Sequence, residues 1–255
     1  MTERTGPVQS IDRVLDIIET LSVASRGMSL KDLAEAVNLH VSTVHRLVMS
    51  LAAREYVRKN EENGRYVLTT KLFEIGSRVI NESDLVTEAM PQLDALAAKT
   101  DETIHLVAWE GTDVVYLYKE ETRNRILTMR SHIGARRPMY CTAVGKSILA
   151  AMDEKDALEI WNNSSVEAIT DNTITNKTAF LDELERTRAR GYALDREENE
   201  IGVTCVAAAI KDFWGVPVGA VSISGPTIRM REDNIKKYGE LVLDAVSKLD
   251  GIITN

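Results

Sequence analysis

The strongest constraint lies in residues 41–54, where Val44, Leu47, Val48 and Leu51 recur at i, i+3, i+4 and i+7 and draw one apolar face along a helix that is polar elsewhere. A helix this short is marginal alone and has to be covered by its neighbours. The preceding segments supply that cover. Ser10 is a candidate N-cap for a first helix carrying Ile11, Val14, Leu15, Ile17, Ile18 and Leu21 at helical spacing. After Gly27, Ser29 opens a second helix to about Val37, with Leu30, Leu33, Ala34 and Val37 inward and Asp32 placed for an approximate capping box. Asn38-Leu39-His40 then allows only a turn of about four residues before the third helix. Two β-type runs follow, Tyr56–Arg58 and Arg65–Leu68, separated by a polar stretch whose Asn63-Gly64 pair is a hairpin signal. Three short helices and a hairpin in about 60 residues make the plan of a winged helix-turn-helix.

From Thr70 the helical pattern returns with Leu72, Phe73, Ile75, Gly76 and Val79, and residues 71–83 read as a linker helix. A further helix is expected from about Asp84 to Lys99 through Val86, Met90, Leu93, Leu96 and Ala97, with Pro91 kinking or breaking it. After Thr103 the texture changes to strands, at Ile104–Trp109, Val114–Lys119, Ile126–Arg130, Val203–Ile210 and Val216–Ser224. Helices are expected at Ala143–Met152, Thr178–Arg190 and Arg231–Asp250, the middle one closed by Gly191. Strands grouped in this way imply an α+β sensor-type domain rather than a regular βαβ array. The expected division is 7–70 for the winged helix-turn-helix, 71–83 for the linker and 84–254 for the second domain.

The net charge of −8 argues at first against a nucleic-acid partner, but it is unevenly spread. Residues 1–70 hold nine Lys/Arg and nine Asp/Glu, so the remainder, with 22 basic and 30 acidic residues, carries the whole excess. A neutral head can still present a basic face. Two cysteines, Cys141 and Cys205, cannot build a disulfide framework and fit a reducing cytoplasm. No apolar run has the roughly 18 residues of a membrane span, and Met1–Ser10 lacks the apolar core of a signal peptide.

If the third helix enters a major groove, Val41 and the outward residues Ser42, Thr43, His45, Arg46, Met49 and Ser50 meet the DNA. Arg58, Lys59 and Arg65 flank the hairpin and would reach neighbouring phosphates or the minor groove. The bland alternative is a helical packing module with a solvated polar face; the hairpin and its basic flanks weigh against it. Gly145-Lys146-Ser147 resembles the end of a phosphate loop, but the glycine such a loop needs five residues earlier is Tyr140. His40, His45, His105 and His132 show no i, i+4 pairing and the cysteines no C-x-x-C, so neither a metal nor a cofactor is expected. No motif organises Cys141 with a histidine, so no catalytic residue is assigned.

Several segments in order, "SLKDLAEAVNLHVSTVHRLVMSLAAREYV", "YVLTTKLFEIGSRV", "MYCTAVGKSILAAM", "RGYALDREENEIGVTCVAAAI" and "AVSISGPTIRM", resemble the IclR family of bacterial regulators over essentially the whole chain. Within it, "DETIHLVAWEGTDVVYLYK" and "IGARRPMYCTAVGKS" look most like the 2-keto-3-deoxygluconate regulators of pectin and sugar-acid breakdown. The resemblance implies a winged helix, a linker helix and a GAF-like α/β effector-binding domain. It also implies dimers, often paired into tetramers, on palindromic double-stranded operators near catabolic genes, with repression the commoner mode. One departure stands out. Many members carry Pro-Lys before the Ser-Thr of the recognition helix, where this chain has His40-Val41, which puts one phosphate contact in doubt.

The same resemblance implies an effector site at Ala143, Val144, Asp195, Cys205, Ser222 and Ser224. The chemistry agrees. Ala143, Val144 and Gly145 would sit on the first turn of a helix, where free N–H groups and the dipole favour a carboxylate. Ser222 and Ser224, two apart in a strand, share a face. Asp195 repels a carboxylate but accepts hydrogen bonds from hydroxyls or a hydrated keto group. A keto acid or sugar acid fits this arrangement. Two rivals to a ligand-gated regulator are an enzyme acting on that acid, and an adaptor using the winged helix for protein partners.

Overall fold

The computed structural model describes residues 8–81, 84–121 and 129–251. Two compact units divide at Ile80/Asn81. In the first, α1 (Gln9–Ser22), α2 (Leu30–Ala36) and α3 (Val41–Ala53) precede the antiparallel strands β1 (Val57–Lys59) and β2 (Tyr66–Leu68), and α4 (Lys71–Asn81) follows. Ile17, Leu21, Leu33, Ala34, Val44, Val48, Leu51, Val57 and Tyr66 form its core. The apolar faces read from the sequence therefore converge, although Ile11 and Leu15 stay outside. The Ser29 hydroxyl accepts from the Asp32 amide at 3.1 Å, as capping requires. Ser10 does not cap α1. The helix begins at Gln9, two residues earlier than a Ser10 cap would give, with Val8 at the cap, whose carbonyl accepts from the Ile11 amide at 2.8 Å. Asn38 takes a positive φ of 50° in the turn between α2 and α3, a conformation asparagine tolerates.

The second unit is one antiparallel six-stranded sheet between helices. In chain order it comprises α5 (Asp84–Thr100), β3 (Thr103–Glu110), β4 (Asp113–Glu120), β5 (Arg136–Pro138), α6 (Ala143–Ala151), α7 (Glu154–Asn163), α8 (Lys177–Arg190), β6 (Ala193–Arg196), β7 (Val203–Lys211), β8 (Pro217–Pro226) and α9 (Glu232–Ser247). The strand order is β5-β4-β3-β8-β7-β6. All strand pairs among the described residues are antiparallel, in keeping with the expected α+β grouping rather than a βαβ array. Gly191 closes α8 in the left-handed conformation, φ 86°.

Three differences have physical causes. Pro91 sits inside α5 without ending it, because Leu85, Ala89, Leu93 and Leu96 make one buried stripe on both sides of it. Strands β5 and β6 and helix α7 were not expected. Each strand is three or four residues long, and α7 buries only Ala157 and Trp161 in a charged sequence. Of the expected strand Ile126–Arg130, residues 126–128 lie outside the described residues, while Met129 and Arg130 are not in a strand. The ends of the proposed divisions at residues 7, 82–83 and 252–254 also lie outside them.

The two faces of the sheet differ in bulk. Toward α5 and α9 point Ile104, Leu106, Val206, Ile210, Val221 and Ile223. The other face carries Ala207, Ala220, Cys205, Ser222 and Ser224, small residues that leave room where α6 packs. At Gly145 a Cβ would fall 2.3 Å from both Cα and O of Met139, so only glycine lets α6 lie this close to the Met139–Cys141 turn.

Candidate functional site

On α3 the outward side chains are Ser42, His45, Arg46, Met49 and Ser50, all exposed, with Thr43 half-buried. The Ser50 hydroxyl donates back to the Arg46 carbonyl at 3.0 Å. Arg58 and Lys59 project from β1, and Arg65 precedes β2. One Arg65 nitrogen donates to the Gly27 carbonyl at 3.0 Å, which anchors the base of the hairpin to the helical core. Between residues 41 and 59 the sequence holds Arg46, Arg54, Arg58 and Lys59 against Glu55 alone, so this edge is locally cationic in an acidic chain.

In the second unit, Ala143, Val144, Asp195, Cys205, Ser222 and Ser224 line one small cavity, with about 30 Å³ open to the centre of a water-sized sphere. Strand register explains the convergence. Asp195 pairs with Cys205, Cys205 with Ser224, and Ser222 with His105, so one polar row crosses β6, β7, β8 and β3. Thr142 caps α6, accepting from the Gly145 amide at 3.2 Å, which leaves the Ala143 and Val144 amides as the helix's first donors on the cavity wall.

Charge in and around the cavity is strongly shaped by burial. Asp195 is 3% exposed. Its Oδ1 accepts from the amides of Glu198 at 2.7 Å and Asn199 at 3.4 Å. Burial, with the Glu198 carboxylate adding to it against the pull of Lys146, pushes its pKa up to about 7. Lys146 is turned inward and completely buried, paired with the buried Glu198. Burial holds the Glu198 carboxyl above its ordinary range despite Lys146. Burial also pushes the Cys205 thiol up strongly and that of Cys141 up to about 12, so both stay protonated. Arg137, half-buried on the wall, has no acidic partner among the described residues.

Among the residues of this cavity that escaped the sequence reading, His105 and Arg137 matter most for its chemistry. Alternation along β3 puts His105 on the face opposite Ile104 and Leu106, but that this is the face of Ser222 follows only from the pairing of β3 with β8. Arg137 had no comparable signal, because β5 is too short to read. The cavity offers a guanidinium with no acidic partner among the described residues, one of whose nitrogens donates to the Arg136 carbonyl at 2.8 Å, together with two helix-end amides, serine hydroxyls and a carboxyl able to hold a proton. It can bind a small oxygenated anion. No three His, Cys, Asp or Glu side chains come together as a metal site among the described residues, and no helix there is long and apolar enough to cross a membrane.

Comparison with known proteins bears on both units. The IclR helix-turn-helix domain matches residues 10–61, and the bacterial transcriptional regulator IclR C-terminal domain matches residues 77–251. The HTH-type transcriptional regulator KdgR of Escherichia coli K12 is 35% identical over 249 residues, 98% of this chain and 94% of that protein. The DNA-binding transcriptional repressor YiaJ of the same organism is 38% identical over 232 residues, 90% of this chain and 82% of its own. The crystal structure of the Thermotoga maritima IclR superposes with a TM-score of 0.81 at 34% identity, covering 94% of this chain and 97% of that one.

Proposed function

The chain belongs to the IclR family of bacterial transcriptional regulators, in its KdgR-like subgroup, and from that premise we propose a cytoplasmic repressor that reads its operator with α3 and is switched by a small keto acid or sugar acid in the cavity beside α6. DNA binding through a helix-turn-helix and effector binding through the C-terminal domain are what the family does. The finer assignments are this chain's own. Arg46 is the outward cation of α3, supported by Ser42, Thr43, His45, Met49 and Ser50, with Arg58, Lys59 and Arg65 on the flanking phosphates. Arg46→Ala is expected to weaken operator affinity about tenfold or more and to reduce the salt slope by about one. Affinity titrations at two salt concentrations test it, and an unchanged affinity and slope would remove Arg46 from the interface.

The observation that carries the effector reading is the meeting, in one cavity, of the acid-free Arg137, the first amides of α6 and the row Asp195, Cys205, Ser224, Ser222. Arg137, Ala143 and Val144 take the carboxylate; Asp195 and the serines take hydroxyl or keto oxygens. A matching acid at a hundred times its Kd raises stability by roughly 2.7 kcal/mol. Asp195→Ala is expected to abolish that rise in thermal midpoint; a rise that persists in the variant refutes the role given to Asp195. Neither cysteine is an activated nucleophile here, since burial keeps both thiols protonated at neutral pH.

A homodimer, pairing further into a tetramer, completes the reading. It is supported by the exposed apolar side chains of the first unit, Val8, Ile11 and Leu15 on and before α1, and Phe73 and Val79 on α4. Two recognition helices about 34 Å apart would read a palindrome, and residues 71–83 would transmit cavity occupancy to that spacing. An effector that stabilises the protein while leaving operator affinity flat across its binding range would sink this coupling.

A further inference from the structure

One buried group in the cavity lies outside the effector residues assigned above. His105 on β3 is 3% exposed, lines the cavity, and has three serine hydroxyls around its ring. Nε2 lies 2.9 Å from Ser131 Oγ, while Nδ1 lies 3.2 Å from Ser222 Oγ and 3.3 Å from Ser224 Oγ. The two strand serines are themselves 3.4 Å apart. Tyr116 closes one side, edge-on at 5.0 Å between ring centres, and Lys119 fixes Ser131 by donating to its carbonyl at 2.6 Å.

We propose that His105, acting through Ser222 and Ser224, is the subsite that reads a keto or hydroxyl oxygen on the bound acid and so sets the class of acid the cavity accepts. The proposal rests on the reading of this cavity as the effector site. Its argument is a count of hydrogen bonds. Burial, and secondarily the charge of Lys119, push the His105 pKa down to about 3, so the ring is neutral, with one N–H and one lone pair. Nδ1 can satisfy one of two serines fully. With the proton on Nε2, donated to Ser131, Nδ1 accepts from one serine, and the other hydroxyl donates to its neighbour at 3.4 Å or turns to donate to the ligand. With the proton on Nδ1, the ring donates to one serine oxygen, one serine proton can go to the other serine at 3.4 Å, and one is free for the cavity. The first state suits a ligand hydroxyl, which also needs an acceptor; the second suits a carbonyl oxygen. In either state the serines keep hydrogen-bonding capacity that a ligand oxygen can use and an unsubstituted aliphatic chain would cover without using, at a cost. Arg137 and the α6 amides hold the carboxylate of any acid, so they do not discriminate.

The test measures binding of two matched sets, pyruvate, lactate and propionate, and 2-keto-3-deoxygluconate, gluconate and hexanoate, to the full chain by calorimetry. The parent is expected to prefer the better oxygenated member of one set over its unsubstituted partner by at least about tenfold. His105→Phe, which keeps an aromatic ring and removes both nitrogens, is expected to cut that preference below about threefold while the unsubstituted acid still binds. Ser131→Ala lies off the sheet and remains a readout if the phenylalanine variant does not fold; it is expected to lower the preference about threefold. A preference retained in full by both variants overturns the proposal, as does equal binding of oxygenated and unsubstituted acids by the parent. Those outcomes leave the cavity an acid site. Failure of every acid to bind the parent overturns the acid-site reading itself, and this inference with it.

Discussion

Lys146→Met is expected to destabilise the second unit by roughly 3–5 kcal/mol, about 10 °C in thermal midpoint, although it removes no surface charge and leaves a side chain of similar length. The reason is the partner left behind. Lys146 lies on α6, fully buried, and its ammonium meets Glu198 in the turn after β6. Glu198 Oε2 has no hydrogen-bond partner, so Lys146 is the side chain that compensates this carboxylate. Without it Glu198 must take up a proton or stay charged in a dry site, and the deficit therefore shrinks as the pH falls. The double variant Lys146→Met/Glu198→Leu removes both charges and is expected to recover most of the loss. Urea unfolding of parent, single and double variants at pH 7.5 checks this; a single variant within about 1 kcal/mol of the parent would show that the pair is not the buried tie described here.

That tie bears on function because the Glu198 amide also holds Asp195 Oδ1, and the Glu198 carbonyl accepts from Thr173 at 2.6 Å. The Gly145-Lys146-Ser147 run, read from sequence as a failed phosphate loop, acquires a different role. The glycine allows close packing on Met139, and the lysine is spent inward on Glu198.

Legibility in the sequence followed the range of the interactions. The helix-turn-helix was readable because its determinants are local: the Val44–Leu51 face, the Ser29 cap and the Asn63-Gly64 turn, with Gly64 at φ 69°. In the second unit the longer strands and Gly191 were readable for the same reason. Ser222 and Ser224 could be placed on one face by alternation, but nothing local says that β8 lies between β3 and β7. His105 pairs with Ser222 across more than a hundred residues, and that pairing alone brings it to the cavity. Asp195 was singled out by resemblance and ligand chemistry; its burial was not foreseeable, since three charged residues, Arg196, Glu197 and Glu198, follow it directly. Ser10 misled because a good capping residue does not cap where the backbone has already turned helical at its predecessor.

Asp195→Asn is expected to make the protein more tolerant of alkaline pH, by an amount that grows between about pH 4 and pH 7. The native carboxyl titrates near 7, against 3.8 unperturbed. A raised carboxyl pKa means that the folded state holds the proton more tightly than the unfolded chain. Its contribution to stability is complete below the unfolded value and is lost as the pH rises through the folded one. Above about pH 7 the parent carries a buried carboxylate near Glu198, with Lys146 as the nearby cation already paired. The other ionisable groups around it do not relieve this. Cys205 on β7 and Tyr116 on β4 stay protonated, His105 on β3 is neutral, and Glu200 is acidic, which leaves Arg137 as the remaining cation on the wall. Asparagine keeps the carbonyl that accepts the Glu198 and Asn199 amides and removes the charge. The midpoint of the variant relative to the parent is therefore expected to rise by roughly 5 °C from pH 5 to pH 8. An acid entering the parent's cavity brings a further negative charge toward Asp195. Binding near pH 7.5 should accordingly take up part of a proton, seen as a buffer-dependent heat that is missing in the variant. A midpoint difference that stays constant across that range would place Asp195 in contact with solvent, and its carboxyl could then not serve as the proton-holding wall of the site.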